Sequence, residues 1–285
     1  MLIRYGYDFT LACDQPTAVV MMVSARPERA ADMVRPECHS RTPDVREDVY
    51  HDSFGNVCRR IIAPAGQIRL QGEGLMRDSG LIDPVFPFAQ EHPVSDLPDE
   101  ALMYLLSSRY CEVDRLSQLA WDLFGQLQPG WGRVQAICDY VHGHIRFNYA
   151  DARSSRTAYE AWQEGRGVCR DFAHLAITLC RCMNIPARYV NGQLGDFGIP
   201  YTPDPMDYAA WMEVYLGGAW RTFDPRINVR RIGRIVVAYG RDAVDVPMIT
   251  SFGPHILKSF TVITDEVLPD HIADAPREQV RHTAP

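Results

Sequence analysis

The stretch GVCRDFAHLAITLCRCM sets Cys169 directly after Gly167 and Val168, at the start of an apolar-periodic segment. A cysteine in the first turn of a helix meets free N–H groups and the positive end of the helix dipole. Both favour the thiolate, which is the reactive nucleophile. Cys180 and Cys182 follow in the body or last turn of the same segment, lack that setting, and read as structural. A cysteine taken alone is most often a small buried hydrophobe. Further on, YAAWMEVYLGGAWRTFDPR reads as a strand, a Gly217-Gly218 turn and a returning strand that ends at Asp224, just before Pro225. An aspartate there can orient a ring on the neighbouring strand, as the third member of a triad does. It can equally cap a turn before proline.

Other reactive residue types carry weaker signals. His174 lies on the same helix as Cys169 and, at about 100° per residue, points away from it. It reads as a core or supporting histidine, and His51, His142, His144 and His255 have no claim from spacing. His142 and His144 flank one glycine within a helical pattern, which sets their rings on nearly opposite sides. Neither H-E-x-x-H nor a Cys/His cluster of zinc spacing occurs, so a metal hydrolase ranks low, and no metal and no cofactor are expected. Ser154, Ser155 and Thr157 lie in a stretch that reads as a loop, either lining a cleft or connecting helices. Arg226, Arg230, Arg231 and Arg234 form a basic stripe that reads as a salt-bridged surface rather than an anion site.

The elements that must position these residues follow from periodicity. LIRYGYDFTL, TAVVMMVSA and QIRLQGEGL read as strands, and HDSFGNVCRRIIA as a hairpin. This gives a small β-rich domain over 1–90. The Pro-rich DPVFPFAQEHPVSDLPDE reads as a linker. Helices are predicted over 99–111, 113–127, 132–147 and 169–184, the last stopping before Pro186. Strands then return in ARYVNGQL, AAWMEVYLG, AWRTFDP, IGRIVVAYG and FTVITDEV. The tail, 269–285, lacks apolar periodicity and reads as disordered. The fold class is α+β: helices packed on an antiparallel sheet over 91–268, preceded by the β-rich domain.

Composition narrows the function classes. With 46% hydrophobic and 23% charged residues, the 285-residue chain is an ordinary globular protein with ample core. The net charge of -7 argues against a nucleic-acid partner. The N-terminus lacks the pattern of a signal peptide, and no segment has the length of a membrane span, so no membrane partner is expected. Eight cysteines without a C-x-x-C pair read as reduced thiols, which points to the cytoplasm.

GVCRDFAHLAITLCRCMNIPARYVNGQL followed by DYAAWMEVYLGGAWRTFDP resembles the transglutaminase-like cysteine protease superfamily, and the early strands with DSFGN resemble the small β domain of its bacterial members. The resemblance implies a papain-like core with the nucleophile at a helix start and a histidine and an aspartate on adjacent strands. Cys169 and Asp224 match that nucleophile and that aspartate. The family histidine precedes Ala-Trp in a D-[FY]-H-A-W context, and here Asp207-Tyr208-Ala209-Ala210-Trp211 puts alanine at its position. The implied activity is thiol acyl transfer on peptide or isopeptide amides, with a peptide or protein as partner and Trp211 as a candidate wall of the cleft. Alanine can neither take nor give a proton. Three accounts stay open: a non-catalytic peptide-binding or scaffold protein, a substitute base elsewhere, and an engineered substitution.

Overall fold

A computed structural model describes residues 1–200 and 207–268. The chain opens with β1 (Leu2–Cys13), β2 (Thr17–Met21), β3 (Met33–Thr42), β4 (Glu47–His51), β5 (Val57–Ala63) and β6 (Gly66–Arg77). Alternation along these strands turns Phe9, Leu11, Val19, Met21, Ile61, Ile68 and Leu70 into one buried apolar cluster. The expected hairpin is β4–β5. Its turn is held by Asp52 Oδ1, which accepts the N–H groups of Phe54 and Asn56 at 2.8 and 2.9 Å. β3 escapes the sequence reading because it is a mostly exposed edge strand carrying Pro36, with no clean apolar period.

The helical section holds α1 (Asp99–Leu102), α2 (Val113–Phe124), α3 (Trp131–His144), α4 (Ala158–Glu164) and α5 (Cys169–Cys182). The short parallel strands β7 (Arg146–Phe147) and β8 (Arg166–Gly167) pair beside α4. The helix expected over 99–111 ends early. After a 3-10 turn, the Leu106 carbonyl is taken by Arg181 at 3.0 Å, and Ser108 and Cys111 bond each other's backbone. α4 occupies part of the stretch read as a loop. Thr157 does not line a cleft but caps α4: its Oγ1 accepts the Glu160 N–H at 3.3 Å while the Glu160 carboxylate accepts the Thr157 N–H at 3.0 Å. α5 is the axis of the core, buried at every residue from Asp171 to Cys182. It packs against α2, α3 and α4, and against an antiparallel sheet of β9 (Ala187–Leu194), β10 (Tyr208–Leu216), β11 (Ala219–Phe223) and β12 (Arg234–Gly240), in the order β11-β10-β9-β12.

The last strands, β13 (Ile249–Ser251) and β14 (His255–Glu266), leave the core and pair with β2 and β1, completing the sheets β13-β2-β5-β4 and β14-β1-β6-β3. The expected core span of 91–268 is corrected accordingly, since 249–266 belong with the N-terminal strands. Without them the long edge of β1 would lie unpaired. The expected tail over 269–285 lies outside the described residues. The Pro-rich stretch is not a free linker. Asp83 accepts from the Arg231 N–H at 3.0 Å and from Arg234 Nε at 2.9 Å, and the Ala89 and Gln90 carbonyls accept from Trp131 and Gly217. Further bonds seat the strand-rich unit on the core: Asn56 donates to the Tyr239 carbonyl and accepts its N–H, both at 2.8 Å.

Candidate active site

Cys169 is the first residue of α5, as its sequence position predicts. The turn that presents it is fixed from below by Asp171, whose Oδ2 accepts the Val168 N–H at 2.8 Å and pairs with Arg156 at 3.0 Å. Gly167 is required here, because a Cβ would stand 2.4 Å from that same Oδ2. Part of Cys169 reaches solvent, but its surroundings are dense enough for desolvation to dominate: burial pushes the thiol up. The Arg226 guanidinium and the Ala210 N–H pull it down, while the Asp207 and Asp224 carboxylates add to the rise. The helix start is therefore present, yet the expected thiolate-favouring balance is outweighed.

Asp224 directly follows β11, and its carboxylate is among the groups that raise the Cys169 thiol. Its carboxylate is already engaged. Oδ2 pairs with Arg234 Nη1 at 3.1 Å, Oδ1 accepts the Ile227 N–H at 3.0 Å, and its backbone carbonyl accepts the Asn228 N–H at 2.8 Å. The turn-capping reading of this aspartate holds, and at Ala209 there is no ring for it to orient.

Ala209 lies near the start of β10, opposite Gly192 and one residue before Ala210, whose N–H is directed at the thiol. The position expected to hold a base thus lies one residue from the N–H that faces the Cys169 thiol, and it has no titratable group. Trp211 does not wall a cleft. It has no exposed surface and packs against Gly192 and under the Arg234 guanidinium, 4.9 Å from its ring centroid; its Nε1 has no hydrogen-bond partner. His174 is no substitute base either. It is fully buried, stacked on Tyr110 at 5.0 Å, and its Nε2 accepts the Ala243 N–H at 3.1 Å. Burial, then Arg170 and Arg181, hold it neutral. His142 bonds the Arg226 carbonyl at 2.8 Å and His144 the Trp162 carbonyl at 2.7 Å, while His51 and His255 are exposed.

The arginine stripe divides rather than forming one salt-bridged surface. Arg231 and Arg234 are buried and paired with Asp196 and Asp83, Arg234 also with Asp224, and Arg230 is exposed. Arg226 stands apart: half-buried, it lies 4.0 Å over the Phe147 ring and acts on the thiol. Sequence reasoning placed it with its neighbours, although its position two residues after Asp224 put it beside the site. Among the described residues no group of three His, Cys, Asp or Glu side chains is arranged to hold a metal, and no helix is long and apolar enough to cross a membrane. A cavity of about 500 Å³ opens beside Asp224, between Val85, Trp131, Gln135 and Arg234.

The chain is similar to several known proteins. Residues 117–225 match the transglutaminase-like superfamily. A crystal structure of a proposed cysteine protease from Cytophaga hutchinsonii shares 28% identity, over 93% of this chain and 90% of that one, with a TM-score of 0.80. The uncharacterized protein ML0607 of Mycobacterium leprae is 38% identical over 91 residues, which are 30% of this chain and only 32% of that protein's length. The periplasmic domain of TgpA from Pseudomonas aeruginosa is more distant, at 15% identity over 79% of this chain and 90% of that one, with a TM-score of 0.39. The chain thus contains a transglutaminase-like region over residues 117–225.

Proposed function

We propose that this protein recognises a peptide or protein segment at a transglutaminase-like thiol site whose proton shuttle is missing, so that binding outweighs amide turnover at neutral pH. In the complete reaction, the thiol adds to an amide carbonyl, the C–N bond breaks, the departing amine takes a proton, and water or an amine resolves the thioester. A base must accept the thiol proton and return it to the amine. One observation carries the reading: Ala209 fills the base position while Asp224, the group that would orient a base, is held by Arg234 and the Ile227 N–H. Eight free cysteines support a reducing compartment, the cytoplasm.

A second reading, slow acyl transfer by Cys169 unaided, is favoured by the Arg226 guanidinium beside the thiol. Ala209→His, assayed on fluorogenic peptide amides, separates the two. The binding reading expects no Cys169-dependent turnover by the protein as it stands, and a gain of about a hundredfold or more over background once the imidazole is supplied. Turnover by the unsubstituted protein that vanishes in Cys169→Ala would overturn it in favour of acyl transfer.

A further inference from the structure

Arg226 is a charged group in search of a partner. Three arginines of the same region are matched: Arg234 by Asp83 and Asp224, Arg231 by Asp196 and the Gly195 carbonyl, and Arg156 by Asp171 and Glu164. Among the described residues no carboxylate lies within ion-pairing distance of Arg226. Its position is nonetheless fixed. The turn that carries it is closed by the Asp224 bonds to Ile227 and Asn228, its own carbonyl accepts from His142 at 2.8 Å, and its guanidinium rests on Phe147. Asn228 is tied in turn to Asp139 at 2.8 Å and to Gln135 at 3.0 Å. A planar fork held on the face of Phe147, whose strand pairs with Gly167 two residues before Cys169, and partly open to solvent, suits a carboxylate arriving with a ligand. The carboxylates whose fields also reach the thiol are Asp224, which is spoken for, and Asp207, which accepts the Tyr208 N–H at 2.6 Å and feels Arg226 without an ion pair to it.

We propose that Arg226 is the specificity-determining anchor for a carboxylate on the segment bound at Cys169, so that the occupant is an acidic peptide or a peptide's carboxyl end. The assignment rests on the preceding reading of Cys169 as the centre of a peptide site. It gives Arg226 a binding role and no part in proton transfer.

Two alkylating reagents that differ by one charge test it without a known substrate. Iodoacetate carries a carboxylate and iodoacetamide does not, and the ratio of their rates at one thiol cancels any change in thiolate fraction. Rates at Cys169 are read by peptide mass mapping, with the exposed Cys38 as internal control. Arg226→Gln is expected to lower the iodoacetate-to-iodoacetamide ratio at Cys169 by about tenfold at low salt and to leave the ratio at Cys38 unchanged. Three peptides then serve as protectants against iodoacetamide: acetyl-Ala-Ala-Ala with a free carboxyl end, the same peptide amidated, and amidated acetyl-Ala-Glu-Ala. Protection by one of the carboxylate peptides, lost in Arg226→Gln, identifies the source of the charge. An unchanged ratio, or equal protection by the neutral peptide, overturns the proposal. None of these readouts needs turnover, so a failed Ala209→His rescue and a failed anchor are separate results.

Discussion

The two ends of α5 carry similar residue types under opposite conditions. At the C-terminal end Arg181 is buried, and every bond it can make is made: to the Ala187 carbonyl at 3.1 and 2.8 Å, the Leu106 carbonyl at 3.0 Å, the Arg241 carbonyl at 2.5 Å and Ser108 Oγ at 3.1 Å. Cys180 and Cys182 beside it are sealed in the core. At the N-terminal end Cys169 keeps contact with solvent, and among the described residues Arg226 has no carboxylate within ion-pairing distance. Residue type does not separate a structural arginine or cysteine from a functional one. Whether the protein itself satisfies the group does.

The sharpest way to break this comparison is to remove one arginine from each end. Arg181→Met strands the Leu106, Ala187 and Arg241 carbonyls, and is expected to cost about 3–5 kcal/mol, read as a lower urea midpoint. Arg226→Met gives up only the stacking of the guanidinium on Phe147 and should cost about 1 kcal/mol or less. Equal losses would mean that Arg226 is structural after all.

The thiols give a smaller effect with a definite sign. Burial pushes Cys111 up to about 11 and Cys182 up to about 12, and raises Cys138 and Cys180 as well. In the unfolded chain such thiols titrate near pH 8.5. The native state therefore keeps protons that the unfolded state releases. The resulting stability is fully present below about pH 8.5 and is lost as pH climbs toward the folded values, at about 1.4 kcal/mol per pH unit per buried thiol. Denaturation between pH 9 and 10 should show this slope, with a further part from buried tyrosines such as Tyr189, which keep their protons while unfolded tyrosines begin to titrate near pH 10. Cys180→Ala should flatten it by one proton's worth. A slope unchanged in that variant would show that Cys180 is not sealed in solution as its packing implies.

Much of this organisation is legible in the sequence. The apolar spacing of Leu116, Ala120 and Phe124, and of Val134, Ile137, Cys138 and Val141, marks α2 and α3, and the Gly217-Gly218 turn marks the β10–β11 pair that brings Asp224 back. These signals are local, so a window of residues contains them. What escaped was non-local. The pairing of β14 with β1 joins residues from opposite ends of the chain, and nothing in FTVITDEV says which edge it completes. The buried state of Trp211 depends on Gly192 and Arg234, and the isolation of Arg226 depends on which carboxylates its neighbours have already taken. α4 is a different kind of miss, because its signature is local: Thr157-Ala-Tyr-Glu160 is a capping box in plain sight, obscured by the polar run before it.

That capping box yields the finest test. α4 packs on α5 near Cys169, while the Val168 turn has its own brace in Asp171 and Arg156. Thr157→Ala removes the Glu160 N–H acceptor and leaves the reverse bond, from residue 157 N–H to the Glu160 carboxylate, intact. The expected loss is about 1 kcal/mol in the urea midpoint. If the Asp171–Arg156 brace alone positions Cys169, the iodoacetamide rate there should change less than twofold. A rate that rises in step with the lost stability would show that the N-terminal end of α5 is held by α4 instead. The site's openness would then be a matter of local unfolding rather than of unmatched groups in the folded state.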